Sequence, residues 1–301
     1  MPFMTKEIKI DAGCGAYIAM SDRLVLFPHN GTSTAVWDME NDRSLGPLEG
    51  HTSMIVRASI DHSKKTAVTA AIRDANGVNG VKIWSLETMQ CTANLTATSS
   101  VVGVLNDRIL LGSGDGPIKV WDIGGSTPVA LMDLEGHTDI TLSIDASDSS
   151  NVALSGSRDK SVRLWDSRTG QCVRVMEGHA DDVWSISMDS TCKTAVSGSW
   201  DEKVKLWDLG SGKCIQTFQH GQDVDVMMHE SGSSFLSVGG GFVKAWATAS
   251  GSDKPLLESD LSALCGLNEF MSGAASRDLS RVGICFWNPD GDNKIGVYLW
   301  R

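Results

Sequence analysis

Residues 136–176 read GHTDITLSIDASDSSNVALSGSRDKSVRLWDSRTGQCVRVM, and residues 178–208 read GHADDVWSISMDSTCKTAVSGSWDEKVKLWD. The two stretches are one pattern written twice. A GH dipeptide opens each, and SGSRDKSVRLWD or SGSWDEKVKLWD closes it. His137 to His179 and Trp165 to Trp207 are both 42 residues apart. Inside each unit, short runs with apolar residues at every second position are separated by Gly, Asp and Ser, the pattern of antiparallel strands joined by hairpins. A single unit of this size cannot bury its own apolar face, so such units stack against their neighbours.

Outward from this pair, the closing strand recurs along the whole chain. Trp37, Trp84, Trp121, Trp165, Trp207, Trp246 and Trp300 sit in TAVWD, VKIWS, IKVWD, VRLWD, VKLWD, VKAWA and VYLW. The successive spacings are 47, 37, 44, 42, 39 and 54 residues, which makes seven units. A period near 40 with GH and WD dipeptides is the signature of one repeat class. On these residues the chain resembles the WD-repeat β-propeller family, from about Lys6 to Arg301, most strongly in units two to five.

The resemblance implies an all-β fold: a seven-bladed β-propeller of four-stranded antiparallel blades, forming a single domain over residues 1–301. The third strand of each blade carries the tryptophan. In the last unit, Trp287 and Trp300 compete for that place, and the match of VYLW to VKIW of unit two selects Trp300. This unit then has no fourth strand of its own, whereas KEIKI (Lys6–Ile10) is a strand-like segment without a unit. Pairing KEIKI into the last blade closes the ring and removes an open edge.

Composition narrows the function. The formal net charge of −11 does not suit a phosphate backbone, so no nucleic-acid partner is expected. MPFMTKEIKIDAG lacks an apolar signal core, and no apolar run approaches a membrane span of about 18 residues. The expected location is cytoplasmic or nuclear, away from the membrane. Of the seven cysteines, Cys91, Cys172 and Cys214 each lie seven residues after a repeat tryptophan. They share one structural position, expected to be a small buried hydrophobe in an outer strand. HExxH, GxSxG and GKS/T are absent, and the glycine run at 112–116 leads into a strand and not into a phosphate-holding helix. No cofactor and no metal are expected.

Units four and five each combine serine, histidine and aspartate: His137, Ser155 (or Ser157) and Asp159 with Trp165, and His179, Ser197 (or Ser199) and Asp201 with Trp207. The combination invites a nucleophilic reading. Its repetition argues instead for structure, because a catalytic constellation is normally built once. These positions resemble the family's hydrogen-bonded tetrad, which links the strands of a blade. Unit two keeps His51 and Asp74, unit three keeps Asp115, and unit six has His220 without the aspartate.

Function is sought on the face that carries the GH turns. The residue before each hairpin aspartate should point there: Trp200, Arg158 and Arg73. The starts of the first strands should neighbour them: Met54, Val56, Leu142, Asp182, Trp184, Asp223 and Asp225. Tryptophan and arginine are enriched in interface hot spots, and an apolar centre with a charged rim is what a recognition patch needs. The plainer reading has Trp184 and Trp200 only packing between blades. The expectation is a non-catalytic scaffold, a monomeric ring that holds short peptide segments of partner proteins. A constitutive subunit of a larger complex is the alternative, marked by an extended apolar patch on the outer rim. An enzyme or small-molecule binder using the channel would need a titratable cluster at the channel mouth, which the sequence does not display.

Overall fold

The structure, a computed structural model, describes residues 3–9, 17–61, 65–72, 80–96, 101–105, 107–112, 116–147, 150–221, 224–249, 251–260, 269–276, 278–287 and 294–299. They form strands throughout, gathered into four-stranded antiparallel sheets. Blade four illustrates the plan, with strands Thr141–Ser147, Val152–Ser157, Val162–Asp166 and Cys172–Met176 in that spatial order. Blade five repeats it with Val183–Met188, Thr194–Ser199, Lys203–Asp208 and Lys213–Gln219.

The seven-bladed expectation is corrected here. Blades made of four consecutive strands number six among the described residues, not seven. The tryptophan spacing counts third strands, and the last repeat supplies only three strands in sequence order. The remaining sheet is a composite of Glu269–Ala275, Arg281–Trp287 and Lys294–Leu299 with Phe3–Lys9 on its outer side. Phe3–Lys9 runs antiparallel to Lys294–Leu299, pairing Phe3 with Leu299 and Lys9 with Lys294, with one irregularity between Met4 and Lys6. Trp287 ends the second strand of this sheet, and the third strand stops just before Trp300.

Contacts divide the chain into two compact units, Met1–Leu111 with Asp122–Val129 and Leu267–Arg301, and Gly112–Trp121 with Ala130–Gly266. In the second unit the burial of each strand follows from its place in the blade. The second strands VALSGS and TAVSGS are buried on both faces, so they show no alternation. The third strands VRLWD and KVKLWD bury Val, Leu and Trp and leave Arg or Lys half-exposed. The glycine of each SGS permits close approach of the next blade. A Cβ at Gly156 would lie 2.7 Å from Val183 Cγ1, and one at Gly198 would strike the Val224 carbonyl oxygen.

Trp84, Trp207 and Trp246 pack toward the blade before their own. Trp207 lies with Leu154, Val162, Leu164 and Met176 of blade four, and Trp246 with Val196, Val204, Leu206 and Phe218 of blade five. In the first unit, Trp84 likewise meets Leu26, Val36 and Leu48. The aspartate after the tryptophan closes the following turn: Asp166 Oδ1 accepts from the Arg168 amide at 2.8 Å, and Asp208 Oδ1 from the Ser211 amide at 2.6 Å. Inner strands are joined by side chains that cap otherwise open backbone groups. Ser143 and Asp145 accept from the Ile186 and Met188 amides, and Ser185 and Ser187 accept from those of Val226 and Met228.

The outer-strand cysteines are not buried hydrophobes. Cys91 and Cys214 are exposed and Cys172 is half-buried. The physical reason is a bulge in each outer strand opposite the tryptophan: Cys172 pairs with Trp165 while Arg174 pairs with Leu164, and Cys214 and Cys91 repeat the pattern. A bulge of this kind turns the neighbouring side chains outward and blunts an open sheet edge.

Candidate functional site

In blade four, Trp165 Nε1 donates to Ser155 Oγ at 2.8 Å, and Ser155 Oγ meets His137 Nε2 at 2.7 Å. His137 Nδ1 meets Asp159 Oδ2, also at 2.7 Å. An ionised carboxylate only accepts, so His137 Nδ1 carries the proton and the serine hydroxyl donates to Nε2. Blade five repeats the chain through Trp207, Ser197, His179 and Asp201, with distances of 2.8, 2.7 and 2.9 Å. Burial raises the Asp159 carboxyl, but hydrogen bonds from His137 and Ser161 outweigh it and hold the group well below the usual range. For Asp201, burial is outweighed in the same way by the Ala180 amide and His179.

These distances match a nucleophilic triad, yet the arrangement is closed to chemistry. Ser155 and Ser197 are fully buried. Each oxygen already accepts an indole N–H and donates to histidine, so neither can meet a substrate. In blade two, Thr69 takes the serine place, accepting from Trp84 Nε1 at 2.8 Å and meeting His51 Nε2 at 2.7 Å. Blade six uses a substitute that the sequence hides. Ser237 accepts from Trp246 and meets His220 Nδ1 at 2.7 Å, while His220 Nε2 donates to the Gly239 carbonyl at 3.1 Å. A backbone oxygen thus stands where blades four and five have aspartate. Asp74 and Asp115 lie outside the described residues.

The buried histidines make stability depend on pH. Burial pushes His51 and His220 down to about 4, assisted by Lys82 and Lys244 respectively. The unfolded chain, with histidines near 6.5, therefore takes up protons before the folded one. This stabilisation is complete above about pH 6.5 and is lost as pH falls toward 4, at most about 3 kcal/mol for each histidine. The unfolding midpoint in urea is expected to fall from pH 7 to pH 4.5, and His51→Gln and His220→Gln should each flatten that slope.

On the GH-turn side of the second unit, Trp184 and Trp200 stack with ring centroids 5.6 Å apart and planes inclined by 20°. Trp200 is 44% exposed and Trp184 half-buried. Asp182 lies at the centre. Its carboxylate meets Arg158 Nε at 3.3 Å, and its carbonyl accepts from the Trp200 amide at 3.0 Å. Burial raises the Asp182 carboxyl, Asp181 and Asp139 push the same way, and Arg158 and Lys160 oppose them. The first strands place their bulges alike: Val183 pairs with Ser199 and Ser185 with Gly198, leaving Trp184 as the extra residue, and Leu142 holds the same place in blade four. Both are half-buried. Asp225 opens the first strand of blade six, half-buried and paired with Val238. Asp223 lies outside the described residues.

In the first unit, Met54 is exposed and its carbonyl accepts from the Ile72 amide at 2.9 Å. The bonds Arg158 to Ile140 and Trp200 to Asp182 are equivalent, so Ile72, 41% exposed, is the counterpart of Arg158 and Trp200. Sequence reasoning passed over Ile72 and chose Arg73, which lies outside the described residues. Counting three residues on from the tetrad hydroxyl (Thr69, Ser155, Ser197) is the signal that finds it.

The model of the WD domain, G-beta repeat matches residues 128–166 and 170–208. The CCR4-associated factor 4 homolog of Candida glabrata is 32% identical over 155 residues, which is 46% of this chain and 26% of the relative. Autophagy-related protein 16 of Arabidopsis thaliana is 26% identical over 156 residues, 50% of this chain and 30% of the relative. Mitochondrial division protein 1 of Saccharomyces cerevisiae is 31% identical over 147 residues, 47% of this chain and 16% of the relative. The matched part is thus less than a third of the length of each of these relatives. Residues 128–166 and 170–208 are thus similar to the repeats of the WD-repeat family, and the Trp–Ser–His–Asp chains of blades four and five lie within them.

Proposed function

We propose that the chain is a non-catalytic protein-interaction module that holds short segments of partner proteins on the face built by Arg158, Asp182, Trp184 and Trp200. The observation that carries this reading is the exposed Trp200 ring stacked on Trp184 beside the Arg158–Asp182 pair. A large flat aromatic surface held rigid by stacking offers contact area at little entropic cost, and charged groups at its rim select the partner. Leu142 and Asp225 extend the patch, and Met54 marks a corresponding site in the first unit. Chemistry is set aside because the buried Ser–His–Asp chains are saturated with internal hydrogen bonds. The Candida glabrata relative is named as an associated factor, which agrees with an interaction role. No helix among the described residues is long and apolar enough to cross a membrane.

A permanent place in a larger complex is the second reading. It is favoured by Val173, Val175 and Ile215, all exposed on outer strands, and by Leu256, which is 65% exposed. The test is quantitative capture of partners from source extract by wild type and by Arg158→Glu/Trp184→Ala/Trp200→Ala, with circular dichroism confirming the fold. A reproducible partner that the variant loses supports the proposed face. A partner that persists moves the interface to the outer strands.

A further inference from the structure

At the GH turn of blade four lies a cleft of about 380 Å³ lined by Gly116, Pro117, Glu135, Gly136, His137, Thr138 and Asp139. Two of its lining side chains are exposed carboxylates, Glu135 and Asp139. Asp139 belongs to the neighbouring patch as well, since its charge helps to raise the Asp182 carboxyl. Geometry links the two places as well: the Asp139 carbonyl accepts from Ser157 Oγ, and the next residue, Arg158, pairs with Asp182, so Glu135, Asp139, Asp181 and Asp182 form an acidic group at the entries to blades four and five. Two of the basic groups near it are already engaged: Arg158 pairs with Asp182, and Lys160 donates to the Ala180 carbonyl at 2.8 Å. A third, the Arg163 guanidinium, packs against Gly136 of the cleft. Among the described residues, no cation pairs with Glu135, Asp139 or Asp181.

We infer that this surface takes a basic, extended peptide segment, with one Arg or Lys in the Glu135–Asp139 cleft and a second cation over the Trp200 ring beside Asp181. The inference rests on the interaction reading above and names the chemical class of its partner. An aromatic face attracts a guanidinium through its quadrupole while its plane stacks, and the neighbouring carboxylates supply complementary charge. His137 in the cleft lining is committed to Asp159 and Ser155, and Arg163 lies against Gly136, so the exposed carboxylates of Glu135 and Asp139 are the groups left to receive a ligand cation. The chain's net charge of −11 adds long-range attraction for a basic partner and raises its rate of encounter.

The test uses three pools of labelled decapeptides that share an apolar framework and differ only in carrying Arg/Lys, Asp/Glu or Ser/Gln at the variable positions. Binding to the whole chain is measured by fluorescence anisotropy at low and at physiological salt. The basic pool is expected to bind at least tenfold more tightly than the other two, with affinity falling as salt rises. Glu135→Gln/Asp139→Asn, which alters only exposed carboxylates, should weaken it about five- to tenfold and reduce the salt dependence. Trp200→Ala should weaken it at least tenfold. Equal or tighter binding of the acidic or neutral pool through Trp200 overturns the basic-segment inference and leaves the interaction face standing. Tight basic binding unchanged by the cleft substitutions overturns the cleft's role. If no pool binds, the inference and the peptide-holding face are both overturned.

Discussion

Trp207→Ala lowers the unfolding free energy by about 3–5 kcal/mol, the range for deleting a buried aromatic side chain. Two losses combine in this one substitution. The indole leaves a void against Leu154, Val162, Leu164 and Met176 of the preceding blade. Its N–H also vanishes from Ser197 Oγ, inside a chain that continues to His179 and Asp201. The contributions separate in Trp207→Phe, which keeps most of the apolar contact and removes only the donor, at a cost of about 1–3 kcal/mol. Trp121 is the internal control, since its buried indole nitrogen has no hydrogen-bond partner among the described residues. Trp121→Phe should therefore cost distinctly less than Trp207→Phe. Urea unfolding of the three variants decides it. Equal costs for the two Trp→Phe changes would mean that the Trp–Ser–His–Asp chain contributes no net stability.

Removing residues 1–12 destabilises the chain by an amount on the order of 5 kcal/mol, large against typical domain stabilities of roughly 5–15 kcal/mol. The deleted strand Phe3–Lys9 is the outer partner of Lys294–Leu299 along its whole length. Without it, Lys294–Leu299 presents an open row of N–H and C=O groups, a template for unwanted pairing with other chains. The truncated protein should show a lower urea midpoint and concentration-dependent association. A synthetic peptide of residues 1–12 added in excess should restore the midpoint. A truncated chain with unchanged stability would show that the pairing contributes nothing to the fold.

How far the sequence announces this structure depends on which atoms do the work. The tetrads of blades four and five are legible because identical side chains recur at identical spacing. His137 and His179 stand 42 residues apart, and so do the tryptophans they reach through serine. The pairing of the N-terminal strand is legible because an alternating segment was left without a unit beside a unit short of a strand. Backbone acceptors are not legible. Nothing in GGG distinguishes a turn glycine from Gly239, whose carbonyl takes the place of an aspartate for His220. Bulges are equally silent, because an extra residue in one strand leaves composition and alternation almost unchanged. They decide that Cys91 and Cys214 face solvent and that Trp184 stands out of register beside Trp200. The shift from Arg73 to Ile72 has the same origin: the position is counted along the second strand from Thr69, not back from the next aspartate.

The interaction face is tested most directly by the dissociation constant of a captured partner for wild type and for Arg158→Glu/Trp184→Ala/Trp200→Ala. Unfolding midpoints measured in parallel show whether the fold is retained, and Arg158→Glu/Trp200→Ala confines the change to exposed side chains. A loss of at least hundredfold in affinity with both variants still folded is the predicted result, since two hot-spot side chains are each worth about 2 kcal/mol or more. Dissociation constants within twofold of wild type in both folded variants would contradict it and place the partner elsewhere on the molecule.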